Sequence, residues 1–145
     1  MSNASSQVVC PHCHAVNRIP TERLGDAPRC GRCKAEVIEA RPLPVAAADF
    51  DRHLANDDLP LVVDFWAPWC GPCRAMAPAF EAAARDLAPG VRLLKVNTEE
   101  AQDLAARYNI RSIPTLIAFR GGREVARISG AMEATRLVAW ARSNT

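Results

Sequence analysis

All cysteines of this 145-residue chain occur in Cys-x-x-Cys pairs, at positions 10 and 13, 30 and 33, and 70 and 73. Two cysteines at this spacing place both sulfur atoms on one side of a single turn, where they bind a metal ion or form a disulfide with each other. Sixteen residues separate the first two pairs, whereas no cysteine follows the third. The chain therefore contains one set of four thiols and one separate pair, and the two need different explanations.

The four N-terminal cysteines have the spacing of a zinc site built from two knuckles. Four thiolates form a closed tetrahedral set that suits Zn²⁺ and leaves no position open for a substrate, so we expect one structural zinc ion held by Cys10, Cys13, Cys30 and Cys33. The residues between the pairs are mostly polar or turn-forming, with too few apolar positions for a core of their own. We therefore predict a small zinc-binding module over residues 1–38.

Three other interpretations of these cysteines stay open at the level of sequence. The segment CPHCH matches the Cys-x-x-Cys-His pattern of haem attachment, but that would leave Cys30 and Cys33 unexplained. His12 and His14 are alternative ligands, although four cysteines already complete the set. The cysteines would also make the module a redox sensor if their oxidation releases the zinc.

Composition and charge exclude several kinds of partner. No run approaches the roughly 18 apolar residues of a membrane helix, and the N-terminus lacks the apolar region of a secretory signal, so we expect a cytoplasmic protein without membrane contact. Residues 1–41 carry six basic and four acidic side chains. Four thiolates and one divalent cation add a net charge of −2, so the segment becomes neutral. A neutral segment has no electrostatic attraction for the phosphates of nucleic acid.

From residue 45 onward the sequence alternates between apolar strand-like runs and helical patterns. Gly121 and Gly122 lie between two such runs and predict an antiparallel hairpin. The predicted fold is α/β, a mixed β-sheet flanked by helices over residues 45–145, with a proline-containing linker at 39–44. We predict helices at 47–55, 71–88, 99–108 and 133–142, and strands at 61–66, 91–97, 115–120 and 123–129.

The third pair lies in WCGPC, between a predicted strand and a predicted helix. Free backbone N–H groups and the helix dipole stabilise a thiolate at Cys70, and Cys73 lies one turn later on the same face. Gly71 permits a tight turn, and Pro72 suits the first turn of a helix. A zinc knuckle here would lack ligands, because His53 is the sole histidine after residue 50. The arrangement predicts thiol-disulfide exchange, with Cys70 attacking and Cys73 resolving the mixed disulfide. Two structural cysteines at the start of a helix are the alternative.

Two charged residues interrupt apolar strands, Asp64 within LVVDFW and Lys95 within LLKVN. A lone buried carboxylate is costly, so we expect Asp64 to have a raised pKa or a partner. Because the two strands are expected to be neighbours, we predict that Asp64 and Lys95 form a coupled pair beneath Cys70 and Cys73. The alternatives are a structural ion pair or side chains that reach solvent.

The segments FWAPWCGPCRAMAP and RSIPT (111–115) resemble the thioredoxin family, and the order of elements matches that family over residues 42–143. With the two preceding cysteine pairs, the whole chain resembles the zinc-containing bacterial thioredoxins. The resemblance implies a thioredoxin fold with a small N-terminal zinc-ribbon-like module of four cysteines, and the reduction of disulfides in cytoplasmic proteins. It further implies a monomer without an organic cofactor that is reset by an NADPH-dependent thioredoxin reductase.

The resemblance also implies roles for single residues. Asp64 would act as general base for Cys73, and Lys95 would tune it. The Ile113–Pro114 bond would be cis and offer backbone groups to an extended substrate. Trp69, in the loop before the helix, is expected to be partly exposed and to form an apolar rim. The expected substrate-binding residues are Trp69, Gly71, Pro72, Ile113, Pro114 and Gly130.

A different class of function also fits the sequence. In this alternative, the zinc ribbon binds protein or nucleic acid, or senses oxidants, and the thioredoxin-like domain is a scaffold or chaperone-like binder. Net oxidase or isomerase action is a further option, because it depends on a redox potential that sequence does not determine.

Overall fold

The computed structural model describes residues 4–145, so residues 1–3 of the predicted N-terminal module lie outside the description. The module begins with an antiparallel hairpin of β1 (Ser5–Val9) and β2 (Val16–Pro20). We did not predict this hairpin. Its two strands have only five residues each, and the cysteines and turn residues between them interrupt the alternation of apolar and polar residues that marks a strand. Buried side chains of the module pack around Leu59, which lies outside residues 1–38. The module core thus depends on a residue of the rest of the chain.

A second sheet has five strands in the order β3-β5-β4-β6-β7. Strands β3, β4 and β5 run parallel, whereas β6 is antiparallel to β4 and β7 is antiparallel to β6. The predicted mixed sheet and the predicted last hairpin are therefore confirmed. Its strands are β3 (Leu43–Pro44), β4 (Leu61–Trp66), β5 (Arg92–Asn97), β6 (Thr115–Arg120) and β7 (Arg123–Ser129).

Helices cover both faces of this sheet, as the continuous apolar strands predict. One face packs on α2 and α4 and includes Val62, Met76 and Leu137. The other face packs on α1 and α3 and includes Phe50 and Leu104. The helices are α1 (Ala47–Asn56), α2 (Gly71–Leu87), α3 (Gln102–Arg107) and α4 (Ala134–Asn144).

Helix α3 is shorter than the predicted helix at 99–108. The residues predicted to begin this helix form a turn instead, because Asn97 accepts hydrogen bonds from their backbone N–H groups. The Glu99 N–H donates to the Asn97 side-chain oxygen at 2.9 Å, and the Glu100 N–H donates to the Asn97 carbonyl at 3.1 Å. Asparagine side chains commonly stabilise turns in this way.

The proline-containing connection ends in a short strand. Leu43 and Pro44 pair in parallel with Leu94 and Lys95 at the edge of the sheet, where proline is tolerated. The boundaries at 38 and 44 stay a prediction. Among the described helices, none is long and apolar enough to cross a membrane.

Candidate active site and metal centre

The third cysteine pair lies where β4 ends and α2 begins. Cys70 is the N-cap of α2, and its Sγ accepts the Cys73 N–H at 3.2 Å. The two residues form a disulfide with Cα atoms 5.3 Å apart. Both are nearly buried, at 5% and 3% exposure, while Gly71 and Pro72 in the first turn are exposed. The helix start therefore presents a redox-active pair with its first turn facing outward.

The segment before β6 packs against this disulfide. The Ile113 carbonyl oxygen is 3.8 Å from Cys70 Sγ, and the Ile113–Pro114 peptide bond is cis, as the resemblance implies. The Gly130 N–H donates to the Pro114 carbonyl at 2.9 Å, and Gly130 has a φ of +99°, a value that favours glycine. The structure thus brings Ile113, Pro114 and Gly130 together beside the cysteine pair.

Trp69 lies next to Cys70 and is 66% exposed. Its indole N–H donates to the carboxylate of Glu99, in the turn between β5 and α3. This contact fixes the aromatic ring beside the disulfide. Sequence analysis missed Glu99, because nothing in the local pattern links a turn glutamate to a tryptophan thirty residues away.

Asp64 lies in β4 and is 2% exposed. One carboxylate oxygen, Oδ1, has no hydrogen-bond partner among the described residues. Burial raises the pKa of Asp64 to about 7, although the positive charge of Lys95 partly opposes this rise. Both the protonated and the ionised form of the carboxyl group are therefore populated near neutral pH.

Lys95 is directly opposite Asp64 in the pairing of β4 and β5. Its Nζ lies 4.4 Å from the centroid of the Trp66 ring, and no ion pair within 4.0 Å joins it to Asp64 among the described salt bridges. The lysine therefore lowers the pKa of Asp64 through space, while its ammonium group makes a cation–π contact with Trp66. A functional coupling of Asp64 and Lys95 stays a prediction.

The four N-terminal cysteines converge at one place. Their Sγ atoms all lie within 4.8 Å of one another, with Cys10 to Cys33 and Cys13 to Cys30 both at 3.6 Å. Zinc–sulfur bonds of about 2.3 Å in a regular tetrahedron separate the sulfur atoms by about 3.8 Å, so the donor set fits Zn²⁺.

Backbone groups support this donor set. The N–H groups of His12 and Arg32 donate to Cys10 Sγ at 3.4 Å and to Cys30 Sγ at 3.3 Å, as expected of two knuckles. Hydrogen bonds from the Cys33 backbone and the Asn17 side chain lower the pKa of Cys30 to about 5. For Cys33, a bond from the Ala35 backbone lowers the pKa, but burial and the other thiols raise it to about 11. The Cys33 thiol would therefore stay protonated at neutral pH unless a cation binds it.

The histidines near this set face carboxylates. His12 Nε2 lies 2.8 Å from Glu39 Oε1, and His14 Nε2 lies 3.3 Å from Asp49 Oδ1. Within residues 4–145, the four cysteines are the one group of three or more ligand side chains close enough to share a metal ion. The structure therefore gives His12 and His14 no place among the ligands.

Comparisons with known proteins agree with this geometry. Residues 41–143 match the family model described as Thioredoxin, and residues 9–35 match the model described as Thioredoxin 2, N-terminal, a zinc ribbon. Thioredoxin C-3 of Corynebacterium nephridii is 42% identical over 133 residues, which cover 92% of this chain and 91% of that protein. Thioredoxin of Porphyra purpurea is 44% identical over 93 residues, or 64% of this chain and 87% of that protein.

A solved structure supports the same assignment. The crystal structure of chloroplastic thioredoxin z matches with a TM-score of 0.65 and 25% identity, over 71% of this chain and 93% of that chain. The family model spans well over half of the sequence, and its redox pair forms a disulfide at the start of α2. The chain therefore belongs to the thioredoxin family and is a thiol-disulfide oxidoreductase of the disulfide-reductase type.

Proposed function

We propose that this thioredoxin reduces protein disulfides with Cys70 as the attacking thiol and Cys73 as the resolving thiol. The observation that carries this assignment is the position of Cys70 as the N-cap of α2, where its sulfur accepts the Cys73 N–H. A negative charge on this sulfur is stabilised by that bond and by the helix dipole. No equivalent bond to the Cys73 sulfur is seen among the described residues, so Cys70 is the better nucleophile.

In the first step, the Cys70 thiolate attacks one sulfur of the substrate disulfide. The substrate S–S bond breaks, a mixed disulfide forms with Cys70, and the departing substrate thiolate takes a proton from water. In the second step, the Cys73 thiolate attacks Cys70 Sγ and breaks the mixed disulfide. The second substrate sulfur leaves as a thiolate and takes a proton from water, and two electrons have passed from the cysteine pair to the substrate.

Asp64 is proposed to accept the Cys73 proton in the second step. Its free Oδ1 offers a proton-accepting atom within the sheet below α2, and a pKa of about 7 suits a general base at neutral pH. Lys95 is proposed to tune this base, because its charge lowers the pKa of Asp64. The proton passes to the carboxylate directly or through one water.

The proposed substrate groove surrounds the exposed edge of the disulfide. Trp69 supplies a flat apolar rim, and the Ile113–Pro114 segment supplies the opposite wall together with Gly130. The space above Gly71 is open, since a Cβ built there meets no atom within 4 Å. Pro72 is the exposed residue that follows it. An extended peptide is the substrate shape that suits such a groove.

The oxidised protein needs two electrons to act again. We propose that an NADPH-dependent thioredoxin reductase in the cytoplasm supplies them, that the protein works as a monomer without an organic cofactor, and that the four N-terminal cysteines hold one structural zinc ion. The distances between those cysteines support the zinc ion. Four protein ligands leave no site on it for catalysis, so the ion stabilises the module.

Reduction of a protein disulfide such as those of insulin, with dithiothreitol as reductant, tests the cysteine roles. We expect Cys70→Ser to lose the catalysed rate. Cys73→Ser, reduced beforehand and mixed with the substrate after the dithiothreitol has been removed, should accumulate a mixed disulfide with the substrate, visible as an added mass under non-reducing conditions. The double variant Cys70→Ser/Cys73→Ser is the control and should form no adduct. Catalysis that survives in Cys70→Ser would refute the proposed nucleophile.

A further inference from the structure

A buried cluster of ionisable side chains lies where the N-terminal module meets the five-stranded sheet. His53 is in α1, Asp57 follows the end of that helix, and Arg92 begins β5. Their side chains are 1%, 0% and 4% exposed. His53 Nδ1 lies 2.5 Å from Asp57 Oδ2, and Arg92 Nη1 lies 3.0 Å and 3.1 Å from the two Asp57 oxygens. We call this trio the His53–Asp57–Arg92 clamp.

The clamp holds the backbone of the module. The Val9 N–H donates to Asp57 Oδ1 at 2.7 Å, and Arg92 Nη1 donates to the Val9 carbonyl at 2.8 Å. Arg92 Nη2 donates to the Val37 carbonyl at 3.1 Å. One carboxylate and one guanidinium thereby bind both polar groups of Val9, the residue that directly precedes the metal ligand Cys10.

The position of the clamp separates it from the machinery of disulfide exchange. Arg92 pairs with Leu61 at the beginning of β4, whereas Cys70 and Cys73 follow the end of that strand. None of the three side chains contacts the cysteine pair in the described hydrogen bonds or ion pairs. The catalytic mechanism therefore gives no reason for this cluster.

Stability alone is also a weak reason for such a cluster. Removing three ionisable groups from water is costly, and apolar side chains of similar volume often stabilise a fold as well or better. Hydrogen bonds to a charged group do fix the position of the segment that makes them. At Val9 this segment leads into the first zinc knuckle, and Val37 lies four residues beyond the last ligand, Cys33.

We propose that Asp57 and Arg92 are positioning residues for the metal centre. By holding Val9 and Val37, they hold Cys10 and the chain after Cys33 at the separation that a tetrahedral site needs, and His53 keeps the Asp57 carboxylate in its orientation. Zinc retention is thus determined in part by residues outside the predicted module. This inference rests on the proposed zinc occupancy.

Linkage makes this coupling reciprocal. If the hydrogen bonds of the clamp raise the affinity of the four cysteines for zinc, then bound zinc stabilises those hydrogen bonds by the same factor. Removal of zinc should therefore loosen the bonds at Val9 in the wild-type protein. This consequence can be measured without any substitution.

The first test measures zinc transfer to a chromogenic chelator from the full chain. The zinc content of the wild-type protein, measured beforehand, tests the occupancy separately. Arg92→Met keeps the apolar stem but removes every hydrogen bond of the guanidinium. We expect zinc transfer about 10 to 100 times faster, because losing a residue that supports a metal ligand typically weakens metal affinity by about that factor. Arg123→Met, at an exposed first position of β7, is the matched control and should match wild type.

A second control separates positioning from general stability. Leu137→Ala opens a cavity in the core on the opposite face of the sheet, so it destabilises the domain without touching the clamp. We expect wild-type zinc transfer from this variant. A wild-type rate in Arg92→Met, or an equal acceleration in Leu137→Ala, overturns the proposal.

The third test follows amide hydrogen exchange in wild-type protein with and without zinc, so it does not depend on the folding of a variant. We expect the Val9 amide to exchange at least about tenfold faster after zinc removal, within the range set by the zinc-transfer test. The Leu116 amide, in the interior strand β6, is the internal control and should keep its protection. Unchanged exchange at Val9 overturns the reciprocal coupling.

Discussion

Asp64 lies in the middle of β4 with a carboxylate oxygen that no described residue hydrogen-bonds. Burial raises its pKa from the ordinary 3.8 to about 7, so the folded protein retains a proton that the unfolded chain has released between these pH values. The free energy of unfolding therefore falls as the pH rises through this window. A residue suited to proton transfer is in this way also a source of instability.

We predict that Asp64→Asn stabilises the protein above pH 7, because it removes the cost of the buried charge. The raised pKa corresponds to about 4 kcal/mol at full ionisation, and this difference from wild type should shrink to nothing near pH 4. Urea unfolding of both proteins across this pH range measures it. An equal difference at all pH values would show that the ionisation of Asp64 is not the cause.

We predict that Lys95→Met moves the catalytic pH profile upward. The Lys95 charge lowers the pKa of Asp64, so its removal raises that pKa, and the Asp64 carboxylate then forms only at higher pH. The rate of closure of the Cys70–Cys73 disulfide from the mixed disulfide, measured against pH, reports this directly.

Arg120→Met, which removes an exposed charge at the end of β6, is the control for Lys95→Met. Its pH profile should match wild type. A profile for Lys95→Met that also matches wild type would remove the tuning role.

Sequence could predict the burial of Asp64, since apolar residues surround it on a strand covered by helices. It could not predict that Lys95 lies over Trp66 rather than against the carboxylate. The position of the Lys95 ammonium group depends on the path that its side chain takes across the neighbouring strands. A long lysine side chain can take several such paths.

At the scale of elements, strands β4, β6 and β7 have the predicted limits because their apolar runs end at clear turn or loop residues. The N-terminal hairpin was not predicted, because its strands are short and flank the turn that carries Cys10 and Cys13. The predicted start of α3 was wrong because Asn97 satisfies the N–H groups that follow it. Predictions from periodicity fail where one polar side chain outcompetes a helical turn.

Two loops cooperate at the active site. The turn after β5 carries Glu99, whose carboxylate accepts the indole N–H of Trp69 in the loop before α2. This hydrogen bond restricts the rotation of an exposed tryptophan side chain. The β5–α3 turn thus shapes the proposed substrate rim without touching the cysteines.

We predict that Trp69→Ala raises KM for a protein disulfide substrate and leaves the reaction with a small aromatic disulfide reagent unchanged, because only the former needs the rim. Glu99→Gln should also raise KM for the protein substrate, but by less, since the amide oxygen still accepts the hydrogen bond of the indole N–H. Steady-state kinetics with both substrates separates binding from chemistry. Equal losses with both substrates would place Trp69 in the exchange step itself.

At the scale of the whole molecule, the His53–Asp57–Arg92 clamp and the redox pair lie at opposite ends of β4. The His53–Asp57–Arg92 clamp joins the module near Leu61, whereas Cys70 follows Trp66. Six residues of strand at about 3.3 Å each place about 20 Å of packed sheet between the two ends. The core of the sheet is continuous on both faces, so loosening of the module need not alter the cysteine pair.

We predict that zinc removal lowers the stability of the protein and leaves its initial rate of disulfide reduction unchanged. A ligand that binds only the folded state stabilises it by about 2.7 kcal/mol when its free concentration is 100 times Kd, and this contribution disappears with the metal. Unfolding curves with buffered zinc and with a chelator measure the first effect, and insulin reduction below the unfolding temperature measures the second. A reduced rate in fully folded, zinc-free protein would mean that the module acts on the active site through the sheet. In that case the same rate loss should appear in Arg92→Met, because the clamp is a buried polar link between the module and the sheet.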